Sequence, residues 1–167
     1  MIVVSDTTPL ISLMKANKLE ILRSLFQEVL IPETVYNELT GNSDFQTEAD
    51  YIRNADYIRC VRVKEQKAVN VLQRATGLDL GESEAIVYAD DVKADVLLMD
   101  EARGRQVAKA MRIQIMGTVG LLLYAFEEKI LSSDDVVEAL DALKRNNRHI
   151  ADGLYKQALE TIGKQQR

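Results

Sequence analysis

Short apolar segments alternate with amphipathic ones along the whole 167-residue chain. Runs of β-branched and aliphatic residues predict buried strands, whereas apolar positions that recur every three or four residues predict helices. The segments with the strand pattern are 2–5, 28–32, 58–63, 94–100 and 113–117. Segment 58–63 alternates apolar and polar residues, which predicts a strand at the periphery of a sheet.

Helical patterns fill the intervals between these strands. They cover 8–16, 19–26, 32–39, 47–57, 65–76, 78–91, 101–112 and 118–129, followed by 132–146 and 151–163. Asp79 and Glu82 have the spacing of a capping box, and Gly77 is placed to end the helix before them. Alternating strands and helices are typical of a parallel sheet covered on both faces. We therefore expect an α/β fold, a three-layer α/β/α domain with a central parallel sheet of about five strands.

Length, net charge and composition limit the classes of protein to which this chain can belong. We expect one domain over 1–167, with C-terminal helices at about 132–163, because no repeat or linker interrupts the chain. A net charge of −5 argues against a large basic surface for nucleic acid. A single cysteine makes an intrachain disulfide impossible, and one cysteine with one histidine makes a zinc site improbable. No apolar stretch approaches the roughly 18 residues that span a bilayer, and the N-terminus lacks the basic region of a signal peptide. We expect a cytoplasmic protein and no membrane partner.

Carboxylates recur where predicted strands end and where the next helices begin. They are Asp6, Glu38, Glu82, Glu84, Asp100 and Glu101. In open α/β folds, ligands bind outside the carboxyl ends of the strands. Acids gathered there repel one another and raise each other's pKa, and a bound Mg²⁺ or Mn²⁺ relieves that repulsion. The pattern therefore favours a site for a hard divalent cation.

Each acid also has a structural interpretation. Asp6 could cap the following helix, Glu82 could serve only the capping box, and Glu38 could be a solvated helix residue. Asp100 and Glu101 could interact with the macrodipole of the helix that they start. Arg103, Arg105 and Lys109 follow on that helix, and basic residues there are usually a solvated face. Of these, Arg103 is the strongest candidate to contact a substrate phosphate.

The sequence resembles the PIN-domain family, and within it the VapC-like branch of small prokaryotic nucleases. The resemblance rests on "VVSDTTPLISL", "VLIPETVYNEL", "LDLGESEAIVYA", "DVLLMDEARGRQVA" and "IMGTVGLLLYA", which occur in the family's order. It implies a Mg²⁺- or Mn²⁺-dependent ribonuclease, often a homodimer and often the toxin that a small antitoxin protein inhibits.

The resemblance also implies roles for individual residues. Asp6 and Glu38 match the first two acids of the family, and Thr7 matches the small hydroxyl residue beside the first. Either Glu82 or Glu84 matches the third acid. Asp100 or Glu101 matches the acid after the fourth strand. The central helix carries Glu where many PIN domains have Asp, and no Thr precedes the acid pair in "LLMDEARG".

Two other functions are compatible with parts of the sequence. A non-catalytic module would bind RNA or protein through the C-terminal helices, although their apolar residues could equally pack on the chain's own core. A phosphoacceptor receiver would use the acids of "VVSD" and "VLLMD". It also requires a lysine after a late strand, which "IQIMGTVG" lacks, so the nuclease remains the leading hypothesis.

Overall fold

The computed structural model describes residues 1–165 and contains one parallel sheet with the strand order β3-β2-β1-β4-β5. The strands are β1 Val3–Ser5, β2 Val29–Pro32, β3 Ile58–Val61, β4 Val96–Leu98 and β5 Ile115–Met116. The expected α/β fold with five parallel strands is confirmed. β3 is an edge strand, as its alternating pattern predicted, whereas β1, β2 and β4 are buried throughout.

Helices connect and cover the strands. They are α1 Thr7–Lys15, α2 Ile21–Phe26, α3 Glu33–Thr40, α4 Gln46–Asn54, α5 Gln66–Thr76, α6 Leu80–Asp91, α7 Ala102–Ala110, α8 Thr118–Glu127, α9 Ser133–Arg145 and α10 Asp152–Gln165. The helix expected over 47–57 ends at Asn54, because Ala55 has extended backbone angles. A short 3₁₀ turn at Ser43–Phe45 was not predicted. Gly77 ends α5 with a φ of 74°, and the Asp79–Glu82 capping box is present.

Apolar side chains leave the sheet on both faces, which explains the continuous apolar runs of the central strands. Val3, Ile31 and Leu98 belong to a core that is completed by α1, α2, α3, α4, α8, α9 and α10. Val4 and Leu97 point to the other face, where α6 and α7 cover them. The sheet is therefore the middle layer of three.

The C-terminal helices pack on this same core. Leu140 and Leu143 of α9 and Ala158 and Ile162 of α10 are buried in it, whereas Leu154 is 43% exposed. Most of the apolar surface of the two helices is thus used within the chain. Among the described residues, no helix combines the length and the apolarity needed to cross a bilayer.

Candidate active site

The strand order locates a crevice at the carboxyl end of the sheet. β2 and β3 follow on one side of β1, whereas β4 lies on its other side, so the connections leave β1 and β4 in opposite directions. This is the topological switch point at which open α/β folds bind ligands. Asp6 follows β1 directly, and its amide donates to the Leu98 carbonyl at 3.0 Å. Asp100 comes two residues after that carbonyl. The fold therefore brings the first and fourth acids to one crevice.

Asp6 is a buried carboxylate, with only 3% of its surface exposed. It occupies the N-cap position of α1 but makes no side-chain capping hydrogen bond, so the interpretation as a helix cap is not supported. Burial, partly offset by the Thr7 amide, raises the pKa of Asp6 from its ordinary 3.8 to about 7. The charges of Glu82, Asp79 and Glu38 add to the increase. A substantial fraction of Asp6 is protonated at neutral pH.

Glu38 reaches this crevice from the last turn of α3. Its Oε2 accepts a hydrogen bond from the Thr7 hydroxyl, which makes Thr7 a tether for the acid. Its Oε1 lies against Gly81 at the start of α6, 2.8 Å from where a Cβ at Gly81 would stand. Partial burial raises the pKa of Glu38, the Thr7 bond opposes this, and the charges of Asp79 and Glu84 raise it further.

The first turn of α6 carries acids with different environments. Glu82 is half-buried, and its carboxylate accepts from the Asp79 amide at 3.0 Å to complete the capping box. Burial raises the pKa of Glu82, as do the charges of Asp79, Glu101 and Glu38. Glu84 is 7% exposed; its Oε1 accepts from Gln66 at 3.3 Å, while its buried Oε2 has no partner among the described residues. Both alternatives act electrostatically on other acids of the site, Glu82 on Asp6 and Glu84 on Glu38.

Asp100 is bound to the start of the helix that follows β5. Its carboxylate accepts from the Thr118 amide at 2.7 Å and from the Thr118 hydroxyl at 2.6 Å. Glu101 is exposed at the N-cap of α7, and its charge acts on Glu82. Of the two acids, Asp100 is thus held firmly by the protein, whereas Glu101 makes no side-chain capping bond.

Carboxylates dominate the electrostatics of this site. Among the side chains that the structure describes, which end at residue 163, none pairs as an ion with any of the six acids. Oxygen donors, negative charge and the unpartnered Glu84 Oε2 match the preference of Mg²⁺ and Mn²⁺. In the described part of the chain, however, no three Asp, Glu, His or Cys residues stand close enough to form a finished metal cage. The donor chemistry fits such a cation, while Glu38, Glu82 and Asp100 are engaged with protein donors.

Arg103 and Arg105, the two arginines considered for phosphate contact, lie in different surroundings in the structure. Arg103 is exposed, and its Nε donates to the Thr76 carbonyl at the end of α5, at 2.6 Å. Arg105 donates to the Met99 carbonyl at 2.8 Å and lines a cleft together with Asp100. Arg105, rather than Arg103, is therefore the residue of α7 placed beside an acid of the site.

Sequence reasoning missed two members of this region. Asp79 was assigned only to the capping box, yet its charge acts on Asp6, Glu38 and Glu82. Its position one turn before Glu82 could have indicated this. Arg148 lines the same cleft as Asp100, although it lies far along the chain in the segment between α9 and α10. No local pattern indicates that position.

A family model described as a PIN domain matches residues 2–164. The match spans nearly the whole chain, so the protein belongs to the PIN-domain family. PIN domains are generally nucleases, and they typically use divalent metals. No curated protein matches the chain.

Proposed function

We propose that this PIN-domain protein is a divalent-metal-dependent ribonuclease that hydrolyses phosphodiester bonds of single-stranded or structured RNA. The observation that carries the proposal is Asp6, a buried acid at the switch point whose pKa is raised to about 7. The charges beside it are further carboxylates. Burying an acid among like charges costs stability, and such sites are typically functional rather than structural.

Asp6, Glu38, Asp100 and Glu82 or Glu84 would hold one or two Mg²⁺ or Mn²⁺ ions, with Glu101 at the margin. Such an ion, when bound, would lower the pKa of its coordinated water and would neutralise negative charge on the phosphate.

The residues of the chain position this chemistry. Asp6 is fixed by the Leu98 hydrogen bond and by its burial, and Thr7 orients Glu38. Asp100 and the start of α8 hold each other in place. Hydrolysis with water attacking phosphorus and the 3′-oxygen leaving yields a 5′-phosphate and a 3′-hydroxyl.

The proposal includes a biological setting. The resemblance to the VapC-like branch supports a toxin of a toxin–antitoxin pair, acting in the cytoplasm as a homodimer and bound by a small antitoxin. A small gene next to this one that encodes an inhibitor of its cleavage activity would support this part. Failure of that search leaves the nuclease proposal itself intact.

Cleavage of a mixed single-stranded RNA pool tests the nuclease. Wild type, Asp6→Asn and the exposed-acid control Asp91→Asn are compared with Mg²⁺, with Mn²⁺ and with EDTA. We expect cleavage by wild type and Asp91→Asn only with metal, and none by Asp6→Asn. The same ions should raise the Tm of wild type, since a ligand at about 100 times its Kd stabilises by about 2.7 kcal/mol. Asp6→Asn should lose most of this shift.

A catalytically weak module that binds nucleic acid or protein is the alternative. The specific observation in its favour is that both oxygens of Asp100 already accept hydrogen bonds from Thr118. Folded wild type that binds the RNA pool without cleaving it, and whose Tm does not respond to Mg²⁺ or Mn²⁺, would replace the nuclease by this alternative.

A further inference from the structure

A cleft of about 760 Å³ is lined by two of the candidate acids, Asp100 and Glu101. Thr8 at the start of α1, Asp100 and Glu101 before α7, and the start of α8 form part of its wall. The segment between α9 and α10 closes it with Arg148 and His149. Its volume is within the range of about 300–1,000 Å³ that is typical of small-ligand sites. A site built only to bind a cation would need only acids, whereas this cleft is also lined by arginines.

Arg148 is shared between two cavities. It lines the large cleft with Asp100 and Glu101, and it also borders a cavity of about 220 Å³ that contains Glu38. Its guanidinium forms no ion pair among the described residues, although it is only partly exposed. A partly buried arginine that lines the same cavities as Asp100 and Glu38, and forms no ion pair with them, has its hydrogen-bond donors available for a ligand.

The backbone fixes where Arg148 leaves the chain. Asn147 has a φ of 56°, the left-handed conformation that asparagine tolerates better than most residues. Its amide donates to the Lys144 carbonyl, and the amide of Arg148 donates to the Leu143 carbonyl at 2.9 Å. These two bonds form a Schellman motif at the end of α9. Ile150, 9% exposed, anchors the segment two residues later. The backbone at Arg148 is thus held in place, and the side chain leaves the chain from a fixed point.

The lining of the cleft matches a nucleic-acid strand. Arg105 and Arg148 supply donors for phosphate oxygens, in the planar geometry that suits bidentate contact. Apolar side chains between them, such as Ile115, Val119 and Leu154, offer surface for a sugar or base. Carboxylates repel a polyanion, so a substrate strand needs positive groups near them to be retained. The two arginines that line the cleft, Arg105 and Arg148, meet that need.

We propose that this cleft binds the RNA backbone next to the scissile bond, with Arg148 as the principal phosphate-binding residue and Arg105 as the second. This inference rests on the proposed ribonuclease function, because the scissile bond is assigned by it. Arg148 determines how tightly the substrate is held, and it is separate from the acids that would carry out the chemistry.

Binding can be measured without cleavage. The full chain carrying Asp6→Asn is titrated into a fluorescein-labelled single-stranded RNA of mixed sequence in Mg²⁺, and the Kd is read by fluorescence anisotropy. Arg148→Ala is added to this parent, with Arg145→Ala as the matched control, since Arg145 is exposed on α9 and does not line the cleft. Arg148→Lys tests whether charge alone is sufficient.

We expect Arg148→Ala to weaken binding at least tenfold, the effect of removing one charge-assisted hydrogen bond. The slope of log Kd against log salt should change by about 0.7 for each phosphate that the variant no longer neutralises. Arg148→Lys should recover part of the affinity, and Arg145→Ala should stay within about twofold of the parent. In the Asp6-containing protein, Arg148→Ala should raise KM while leaving kcat largely unchanged.

Two results would overturn the inference. One is that Arg148→Ala and Arg145→Ala weaken RNA binding equally. Arg148 would then contribute only a non-specific positive charge, like Arg145. The other is that no RNA binds, in which case an acidic protein segment becomes the candidate occupant. Arg148-dependent binding without any cleavage by wild type would instead refute the nuclease proposal and leave the binding cleft standing.

Discussion

Replacing Asp6 by asparagine is expected to stabilise the metal-free fold at and above neutral pH. The side chain is almost fully buried and has acidic neighbours, and its pKa is raised from 3.8 to about 7. Between these two values the native state keeps a proton that the unfolded chain has released. The unfolded state therefore binds fewer protons than the native state, and the stability of wild type falls as pH rises. Asparagine is similar in size and does not titrate.

The size of this pH-dependent change in the free energy of unfolding follows from the raised pKa of Asp6. Each pKa unit corresponds to about 1.4 kcal/mol. Between pH 5 and pH 7, about two units, wild type should lose roughly 2 to 3 kcal/mol from this group, and above pH 7 the loss levels off. The free energy of unfolding of Asp6→Asn, relative to wild type, should therefore increase by that amount between pH 5 and pH 8.

Urea denaturation in EDTA at pH 5, 6, 7 and 8 measures this difference. The exposed Asp91→Asn serves as the control, since surface substitutions usually stay within about 0.5 kcal/mol at any pH. A difference between wild type and Asp6→Asn that is the same at pH 5 and at pH 8 would refute the assignment of Asp6 as a buried acid with a raised pKa.

Two further substitutions test how neighbouring residues position the acids. Gly81→Ala would place a Cβ 2.8 Å from Glu38 Oε1. RNA cleavage should fall at least tenfold while the Tm holds or rises, since Ala is favoured over Gly in a helix by up to about 1 kcal/mol. Gly153→Ala, whose Cβ would meet nothing within 4 Å, is the matched control; cleavage by Gly81→Ala at the control's rate would contradict the argument. Asp100→Ala should destabilise the metal-free protein by about 1 to 2 kcal/mol in urea titrations, because Thr118 loses both hydrogen bonds. A loss of stability seen only in Mg²⁺ would show that Asp100 acts solely through the ion.

Local sequence was sufficient for most of the secondary structure. The capping box of Asp79 and Glu82 and the left-handed Gly77 depend on residues only a few positions apart, so the sequence identifies them directly. The strands were predicted at the right places because an apolar β-branched run has few other stable environments. The helix expected over 47–57 was too long, because the extended conformation of Ala55, which precedes β3, is not visible in the helical pattern.

The sequence predicted the candidate site only in part. The placement of acids after predicted strands anticipated that Asp6 and Asp100 would follow strands that end at the same edge of the sheet, because parallel strands share a carboxyl end. It favoured Arg103 over Arg105 for contact with a substrate phosphate, although both follow the same acid on one helix, whereas the structure places Arg105 in the cleft with Asp100. Their hydrogen bonds to Thr76 and Met99 depend on how α7 packs against its neighbours.

By itself, the sequence determined the layered α/β class, the order of its elements and the chemical type of the site, because these follow from periodicity and residue type. Tertiary structure alone decided that β4 pairs with β1, that Glu38 is tethered by Thr7, and that Arg148, from near the end of the chain, lines the same cleft as Asp100. The physical reason is that each of these contacts joins residues 31 or more positions apart. Such contacts are selected by packing of the whole core, and no local pattern encodes them.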